Sequence, residues 1–396
     1  MSVRQDIARG KVWVFRAIIL LVVLGFFVLF DRIAKRGYSR LAPESGRLAV
    51  ASLLDKDATS QTGYFIKHPY LYYAYKPHYK AFGVQQFNAQ GYRSRRDYSP
   101  TPAPGVLRIL TIGGSTTVSF PYAKKPSDTW SGQLETILQQ RTGLQVEVIN
   151  AGLHAATTAD NLLHYMFRDR YLKSAIVVLH EGGNDGVTTL FDNYNPEYTH
   201  NTHGWRGSSL TPRPFERQWL RKSYLVRILY AHWLKEISLN ATLGRDDLSS
   251  VTPARALENA KTNNGEGFRR NLDLLVRTIL DDGATPVMFP FVWAPEKVMR
   301  TRGQYRGYTD AFLTAFAKDR QTALDVAAAH GLTTVVLPDN AIDPGDFRDF
   351  CHVNENGEAV KAQHLADALI PLIAKLNADG RFNAPSDHPA ADSTAE

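Results

Sequence analysis

The first apolar feature of the chain is one long block. Val12 to Phe30 is apolar except for Arg16, and Ala17–Phe30 is uninterrupted. As a helix this stretch would run ~28 Å, close to the ~30 Å hydrocarbon core of a bilayer. Arg16 lies near its amino end, where the stem can reach the headgroups. The pattern predicts a transmembrane anchor over 12–30 behind a basic segment, 1–11. A cleaved signal peptide is the competing reading. The one Ala-x-Ala, Ala49-Val50-Ala51, begins 19 residues past Phe30, which is far for signal cleavage. Arg4, Arg9, Lys11 and Arg16 on one side match Arg32, Lys35, Arg36 and Arg40 on the other, so flanking charge does not orient the anchor.

From Gly37 to Gly105 the chain is polar, Tyr-rich and turn-rich, with extended pieces such as Tyr70–Tyr75. It predicts a β lead-in (37–105) rather than a separate domain. Past Pro102-Ala103-Pro104-Gly105 the pattern changes. Apolar runs of strand length fall at Leu107–Ile112, Val146–Ile149, Ala175–Leu179, Pro286–Phe291 and Thr333–Leu337. Helical periodicity falls near Thr129–Arg141, Thr158–Leu172, Gly267–Asp282 and Asp310–His330. A last helix starts at about Asn356, with Leu365, Ala368, Leu369, Leu372 and Leu376 on one face and Asn354 as its cap. Strands apolar throughout, alternating with helices, predict an α/β domain over 106–378 with a parallel sheet covered on both faces.

An insertion at 186–266 interrupts the alternation. It carries Phe191, Tyr194, Tyr198, Trp205, Phe215, Trp219, Tyr224, Tyr230 and Trp233. Part of it reads as a helix, with Leu225, Ile228, Leu229 and Trp233 on one stripe and Arg217, Arg221, Lys222 and Arg227 nearby. A lid with those aromatics as its core is the plain reading; an aromatic sugar platform and a surface resting on the membrane are the sharper ones. Residues 379–396 read as a disordered tail.

Composition narrows the class. The 396 residues carry 46 Lys+Arg against 39 Asp+Glu, a net charge of +7 with no Lys/Arg block, so no motif points to nucleic acid. One cysteine, Cys351, excludes a disulfide scaffold. A lone cysteine is more often a small buried hydrophobe, although its place between Asp349 and His352 also suggests a redox-sensitive neighbour.

Ligands of open parallel sheets bind past the carboxyl ends of the strands. There the sequence has Gly113-Gly114-Ser115-Thr116 after the first strand and Asn150-Ala151-Gly152 after the second. Gly182-Gly183-Asn184-Asp185 follows the third, and Asp349-Phe350-Cys351-His352 precedes the last helix. Each piece alone is commonplace; the set, in order and after the right elements, is not. It is the inventory of acyl transfer. Ser115 is the nucleophile, His352 its general base and Asp349 the group that fixes the imidazole, in the order Ser…Asp…His. The N–H groups of Ser115 and Gly152 and the amide of Asn184 form the expected oxyanion hole. Gly114, His154, Asp185 and Trp293 are expected to touch substrate, and Arg300 to line a pocket with Trp293. Asp346, Asp349, His352, His154 and His164 lack the spacing of a metal site. Neither G-x-G-x-x-G nor G-K-[ST] occurs, so a nucleotide cradle is unsupported and no cofactor is expected.

These four segments resemble the blocks of the SGNH (GDSL-like) hydrolase superfamily. Ser115 matches its nucleophile, Gly152 and Asn184 its oxyanion-hole members, and Asp349 and His352 its Asp-x-x-His pair, over about Val106 to Ala374. One departure is Gly114, where the common first block has Asp. The stretch Asn88-Ala89-Gln90-Gly91-Tyr92-Arg93-Ser94 resembles the lead-in of bacterial membrane-anchored members with this GGST-type block. The resemblance implies a flavodoxin-like three-layer α/β fold. It also implies serine esterase or O-acyltransferase activity on ester-linked acyl, above all acetyl, groups of cell-envelope polysaccharide or lipid. It places the domain in the periplasm, anchored in the inner membrane, and analogy with envelope acetylation systems raises a membrane partner that supplies the acyl donor. The rival reading is a catalytically silent SGNH-like scaffold or glycan-binding protein.

Overall fold

The computed structural model describes residues 3–41, 64–66, 71, 74–192, 194–197, 223–232, 248, 251–302 and 305–381. Ala49-Val50-Ala51, residues 382–396 of the tail and most of the insertion, including Trp205, Trp219 and Trp233, lie outside them. The chain forms two compact units.

The first unit contains α1 (Val3–Leu41), of 39 residues. Val12–Tyr38 within it is long and apolar enough to cross a bilayer, and none of it is buried by protein. The helix does not end where the apolar run ends at Phe30, because no Gly or Pro follows directly and Arg32–Arg36 are compatible with helix. The other described helix of this unit is α6 (Tyr224–His232), in the part of the insertion expected to be helical; Trp233 of the expected stripe lies outside the described residues. Asp31 accepts hydrogen bonds from Ser223 Oγ at 2.6 Å and from the Leu225 N–H at 2.7 Å. A carboxylate borrowed from α1 thus satisfies donors that the start of α6 cannot pair within itself.

The second unit is built on five parallel strands in the order β2-β1-β3-β4-β5: β1 Val106–Gly113, β2 Gln145–Asn150, β3 Ile176–His180, β4 Thr285–Met288 and β5 Thr333–Thr334. Its helices are α2 (Ser115–Val118), α3 (Trp130–Thr142), α4 (Thr158–Phe167), α5 (Gly183–Thr188), α7 (Pro253–Thr262), α8 (Glu266–Asp281), α9 (Glu296–Thr301), α10 (Thr309–Ala329) and α11 (Glu355–Ala378). Alternate strand residues enter opposite cores. Leu107, Ile109, Ile176 and Val178 pack with Trp130 and Leu134 of α3 and Leu365 and Leu369 of α11. Leu110, Ile112, Val177 and Leu179 pack with Leu272, Leu275 and Ile279 of α8 and with Tyr165 of α4. A sheet buried on both faces is why these strands read as unbroken apolar runs.

Three boundaries differ from the sequence expectation. β4 stops at Met288 rather than Phe291, because Pro290 has no N–H to give the ladder. β5 is reduced to two residues ahead of Pro338, although the Val335 N–H still reaches Met288 O at 2.8 Å. The helix expected to run to Leu172 breaks at Arg168, whose φ of −143° is not helical, and continues as one 3₁₀ turn. Asn354 caps α11 as expected, accepting from the Asn356 and Gly357 N–H groups.

Candidate active site

Three loops at the carboxyl edge of the sheet, with the turn before α11, bring the chemistry together. β1 ends at Gly113 and Ser115 opens α2 at once. The turn is tight: a Cβ at Gly113 would stand 2.3 Å from Thr117 Oγ1 and 2.5 Å from His180 O. As the first helical residue, Ser115 has an N–H without an intrahelical acceptor. Its Oγ lies 2.9 Å from His352 Nε2, and His352 Nδ1 lies 2.7 Å from Asp349 Oδ2. Asp349 Oδ1 accepts the backbone N–H groups of Cys351 and His352 at 2.9 and 2.8 Å.

These contacts fix the protons. Nδ1 faces a carboxylate and carries a hydrogen, which leaves Nε2 as the acceptor for the Ser115 hydroxyl. Burial pushes the Asp349 carboxyl up, but the His352 side chain and the two backbone N–H groups outweigh it and hold its pKa down at about 2. The carboxylate is therefore ionised at neutral pH. Cys351 is buried 3.6 Å from His352 Nδ1, and burial first, then the charge of Asp349, push its thiol well up. Asp349, Cys351 and His352 bring ligand atoms within 4.8 Å of one another. Nδ1 and Oδ2 at 2.7 Å share a proton, too close together for two ligands of one tetrahedral ion.

The expected oxyanion donors divide. Asn184 donates from Nδ2 to Ala156 O at 2.8 Å. A Cβ on Gly114 would fall 2.5 Å from that nitrogen. The glycine that replaces the usual Asp of the first block is thus the residue that admits the Asn184 amide. Gly152 is turned inward: its N–H donates to Asn150 Oδ1 at 3.0 Å, and a Cβ there would meet Val118 N at 2.3 Å. Close packing of its loop against α2 demands glycine at this position, and the N–H is in competition with Asn150 for any other acceptor.

The structure gives three of the expected substrate contacts other surroundings. His154 is saturated: Nε2 donates to Phe120 O at 2.6 Å and Nδ1 accepts from Tyr75 Oη at 2.8 Å. Desolvation lowers its pKa to about 3; it is a neutral brace. Asp185 is buried and caps α4, accepting the Thr158 N–H at 3.0 Å and Oγ1 at 2.6 Å. Trp293 is not among the residues lining the Ser115 cavity; it lines a neighbouring one of about 520 Å³ with Arg320, Phe347 and Phe291, the last of which lines both. Arg300 is not among the residues lining that cavity; it pairs with Glu296 and Asp310. Gly114 does line the Ser115 cavity, which measures about 40 Å³ and is closed by Ala156, His180, Val187, Phe291, Phe350 and His352.

The sequence reading missed Tyr122. Its ring stacks on the His352 imidazole, with centroids 4.1 Å apart and planes 13° from parallel, and its hydroxyl donates to Asp349 Oδ2 at 3.1 Å. No local motif marks it. Arg93, in the stretch singled out only by resemblance, is buried under the nucleophile loop. It donates from Nε to Val118 O at 3.3 Å and from a terminal nitrogen to Ala123 O at 2.8 Å.

The family model described as GDSL-like lipase/acylhydrolase matches residues 111–360, a span that includes Ser115, Gly152, Asn184, Asp349 and His352. The chain belongs to this family. Its five-stranded parallel sheet with helices on both faces is the SGNH hydrolase fold. Among solved structures, the GDSL member is similar to the lipase/acylhydrolase from Enterococcus faecalis (17% identity over 71% of this chain and 100% of that one, TM-score 0.38). It is similar also to a GDSL-like lipase from Bacteroides thetaiotaomicron VPI-5482 (13% identity, 68% and 88%, TM-score 0.35) and to the acetyl xylan esterase AlAXEase (13% identity, 66% and 100%, TM-score 0.38). No curated protein compared with the chain matches it significantly.

Proposed function

We propose that this GDSL-family protein is a membrane-anchored serine esterase or O-acyltransferase that handles acetyl groups of cell-envelope polysaccharide through an acyl-serine intermediate. The observation that carries the proposal is the unbroken relay from Ser115 Oγ to Nε2 at 2.9 Å and from Nδ1 to Asp349 at 2.7 Å. Nε2 takes the hydroxyl proton as Oγ attacks the acyl carbonyl, then returns it to the departing alcohol. Asp349 stabilises the imidazolium in between. The Ser115 N–H and the Asn184 amide are the donors for the oxyanion, with Gly152 joining them once its N–H leaves Asn150.

Cavity size supports the acetyl reading. About 40 Å³ beside Ser115 holds roughly three water-sized groups, which matches a two-carbon acyl group. The α1 span supports anchoring, and the periplasmic, inner-membrane placement and a membrane acyl-donor partner follow from the family resemblance. Hydrolysis and transfer differ only in whether water or a sugar hydroxyl resolves the acyl-serine.

The test uses the full chain in detergent. p-Nitrophenyl acetate turnover is followed with and without oligosaccharide acceptors, for wild type and Ser115→Ala, alongside fluorophosphonate labelling of wild type and His352→Ala. Serine-dependent release of acetate alone establishes an esterase, and acetate on the sugar a transferase. Absence of both turnover and labelling would move the assignment to a silent scaffold.

A further inference from the structure

Tyr122 and Ser115 approach His352 from the same loop, seven residues apart, one at Nε2 and the other across the face of the ring. That loop is held from several sides. Ser119 Oγ donates to the buried Glu358 at 3.0 Å, the Phe120 carbonyl accepts a hydrogen bond from His154 Nε2, and Gln86 Nε2 donates to Lys124 O at 3.0 Å. The Arg93 guanidinium binds both ends of the turn, at Val118 and Ala123, and lies 5.1 Å from the Phe120 ring centroid. The lead-in that carries Arg93 and Gln86 is thus the floor of the nucleophile loop. Tyr122 is not among the residues lining the Ser115 cavity. Its contacts with the catalytic groups are to the His352 ring and to Asp349 Oδ2.

We propose that Tyr122 is a positioning residue for the acid–base pair. An imidazole held only by the Nδ1 bond to a carboxylate can swing about that bond and carry Nε2 away from the serine. A phenol ring stacked at 4.1 Å blocks that swing. The phenol hydroxyl shares Oδ2 with Nδ1, so Oδ1 with its two backbone donors and Oδ2 with its two side-chain donors are both fully used and the carboxylate cannot rotate. Both restraints act on the approach of Nε2 to the Ser115 hydroxyl, a step that follows substrate binding. The contribution therefore falls on kcat and not on KM.

This rests on Ser115, His352 and Asp349 acting as proposed above, so two readouts are used. The first is p-nitrophenyl acetate kinetics of the full chain in detergent, for wild type, Tyr122→Phe and Tyr122→Leu. The Leu variant lacks both ring and hydroxyl and is expected to lower kcat roughly 10- to 100-fold with KM within twofold, while the Phe variant, which keeps the ring, recovers most of the loss. The second is the low-field proton resonance of His352 Nδ1–H in a Ser115→Ala background, which needs no turnover. It is expected to persist with the native tyrosine and in Tyr122→Phe, and to broaden away in Tyr122→Leu. If the resonance behaves so in a protein without esterase activity, the positioning role stands and the functional reading falls. A Tyr122→Leu variant with kcat within twofold of wild type, or with an unchanged resonance, overturns the positioning role. If Tyr122→Leu does not fold, Tyr122→Phe decides by itself: with the competing hydroxyl gone, Nδ1–H has Oδ2 to itself and its resonance should shift downfield, and an unshifted line refutes the share assigned to Asp349.

Discussion

Replacement of Asp349 by Asn separates orientation from mere presence of a side chain. Asp349 Oδ1 accepts two backbone N–H groups at 2.9 and 2.8 Å, and Oδ2 accepts His352 Nδ1 at 2.7 Å and Tyr122 Oη at 3.1 Å. An Asn keeps its oxygen where two backbone donors demand one, so its NH₂ faces Nδ1. That nitrogen must then accept, the ring proton moves to Nε2, and His352 presents a donor to Ser115 instead of a base. A wrong tautomer of this kind costs about 10⁴ in kcat, or about 5.5 kcal/mol in the barrier. Stability should change as well. The carboxyl's pKa of about 2 lies below its ordinary value near 4, so its ionised form contributes about 2–3 kcal/mol above pH 4 that is lost as pH falls toward 2. Asp349→Asn should therefore melt lower than wild type at pH 7, and the gap should close as pH approaches 2. The assay is the second-order rate of fluorophosphonate labelling of Ser115, which reads nucleophile activation without an ester substrate, with melting curves from pH 2 to 8. A variant that labels within tenfold of wild type would refute the role given to Asp349.

Three other outcomes are expected. Gly114→Asp restores the common residue of the first block, but its Cβ falls 2.5 Å from Asn184 Nδ2; displacing that donor should cost about 3–4 kcal/mol in the barrier, read as a fall in kcat of roughly 10²- to 10³-fold. p-Nitrophenyl esters should lose kcat/KM at least tenfold from acetate to hexanoate if the cavity of about 40 Å³ receives the acyl group, and a flat chain-length profile would place the acyl group elsewhere. Asp169 is buried, and desolvation, opposed by Arg168 and the Tyr92 hydroxyl, raises its pKa to about 6. Because the folded value lies above the unfolded one, ionisation withdraws stability as pH rises from about 4 to 6. Asp169→Asn, which still accepts from Tyr92, should therefore be more stable than wild type at pH 8 by about 1–3 kcal/mol and lose that advantage near pH 4, by denaturant titration.

How much of the protein was legible in the chain follows from the range of each interaction. The α/β alternation was readable because a strand buried on both faces must be apolar throughout, as Leu107–Ile112 and Ala175–Leu179 are. The apolar block of α1 was equally plain. Ser115, Asn184, Asp349 and His352 were readable because each belongs to a short segment whose place at the sheet edge follows from strand order. What the sequence did not disclose depends on which atoms meet across long separations. His154 and Asp185 look like substrate contacts beside Gly152 and Asn184, yet Tyr75 and Phe120 claim one and the start of α4 the other. Gly114 reads as a departure from the family until the Asn184 amide is seen to occupy the space of a side chain. Gly152 reads as a backbone donor, but its N–H is spent on Asn150 two residues away. Tyr122 and Arg93 bear on the site through a loop that returns over His352, and the Tyr122 bond to Asp349 joins residues 227 positions apart in the chain. Periodicity and motif spacing record what a residue does within its own element. Pairing of polar groups in a buried site is settled only when separate elements close on one another, because each donor then has one acceptor within reach and no water to replace it.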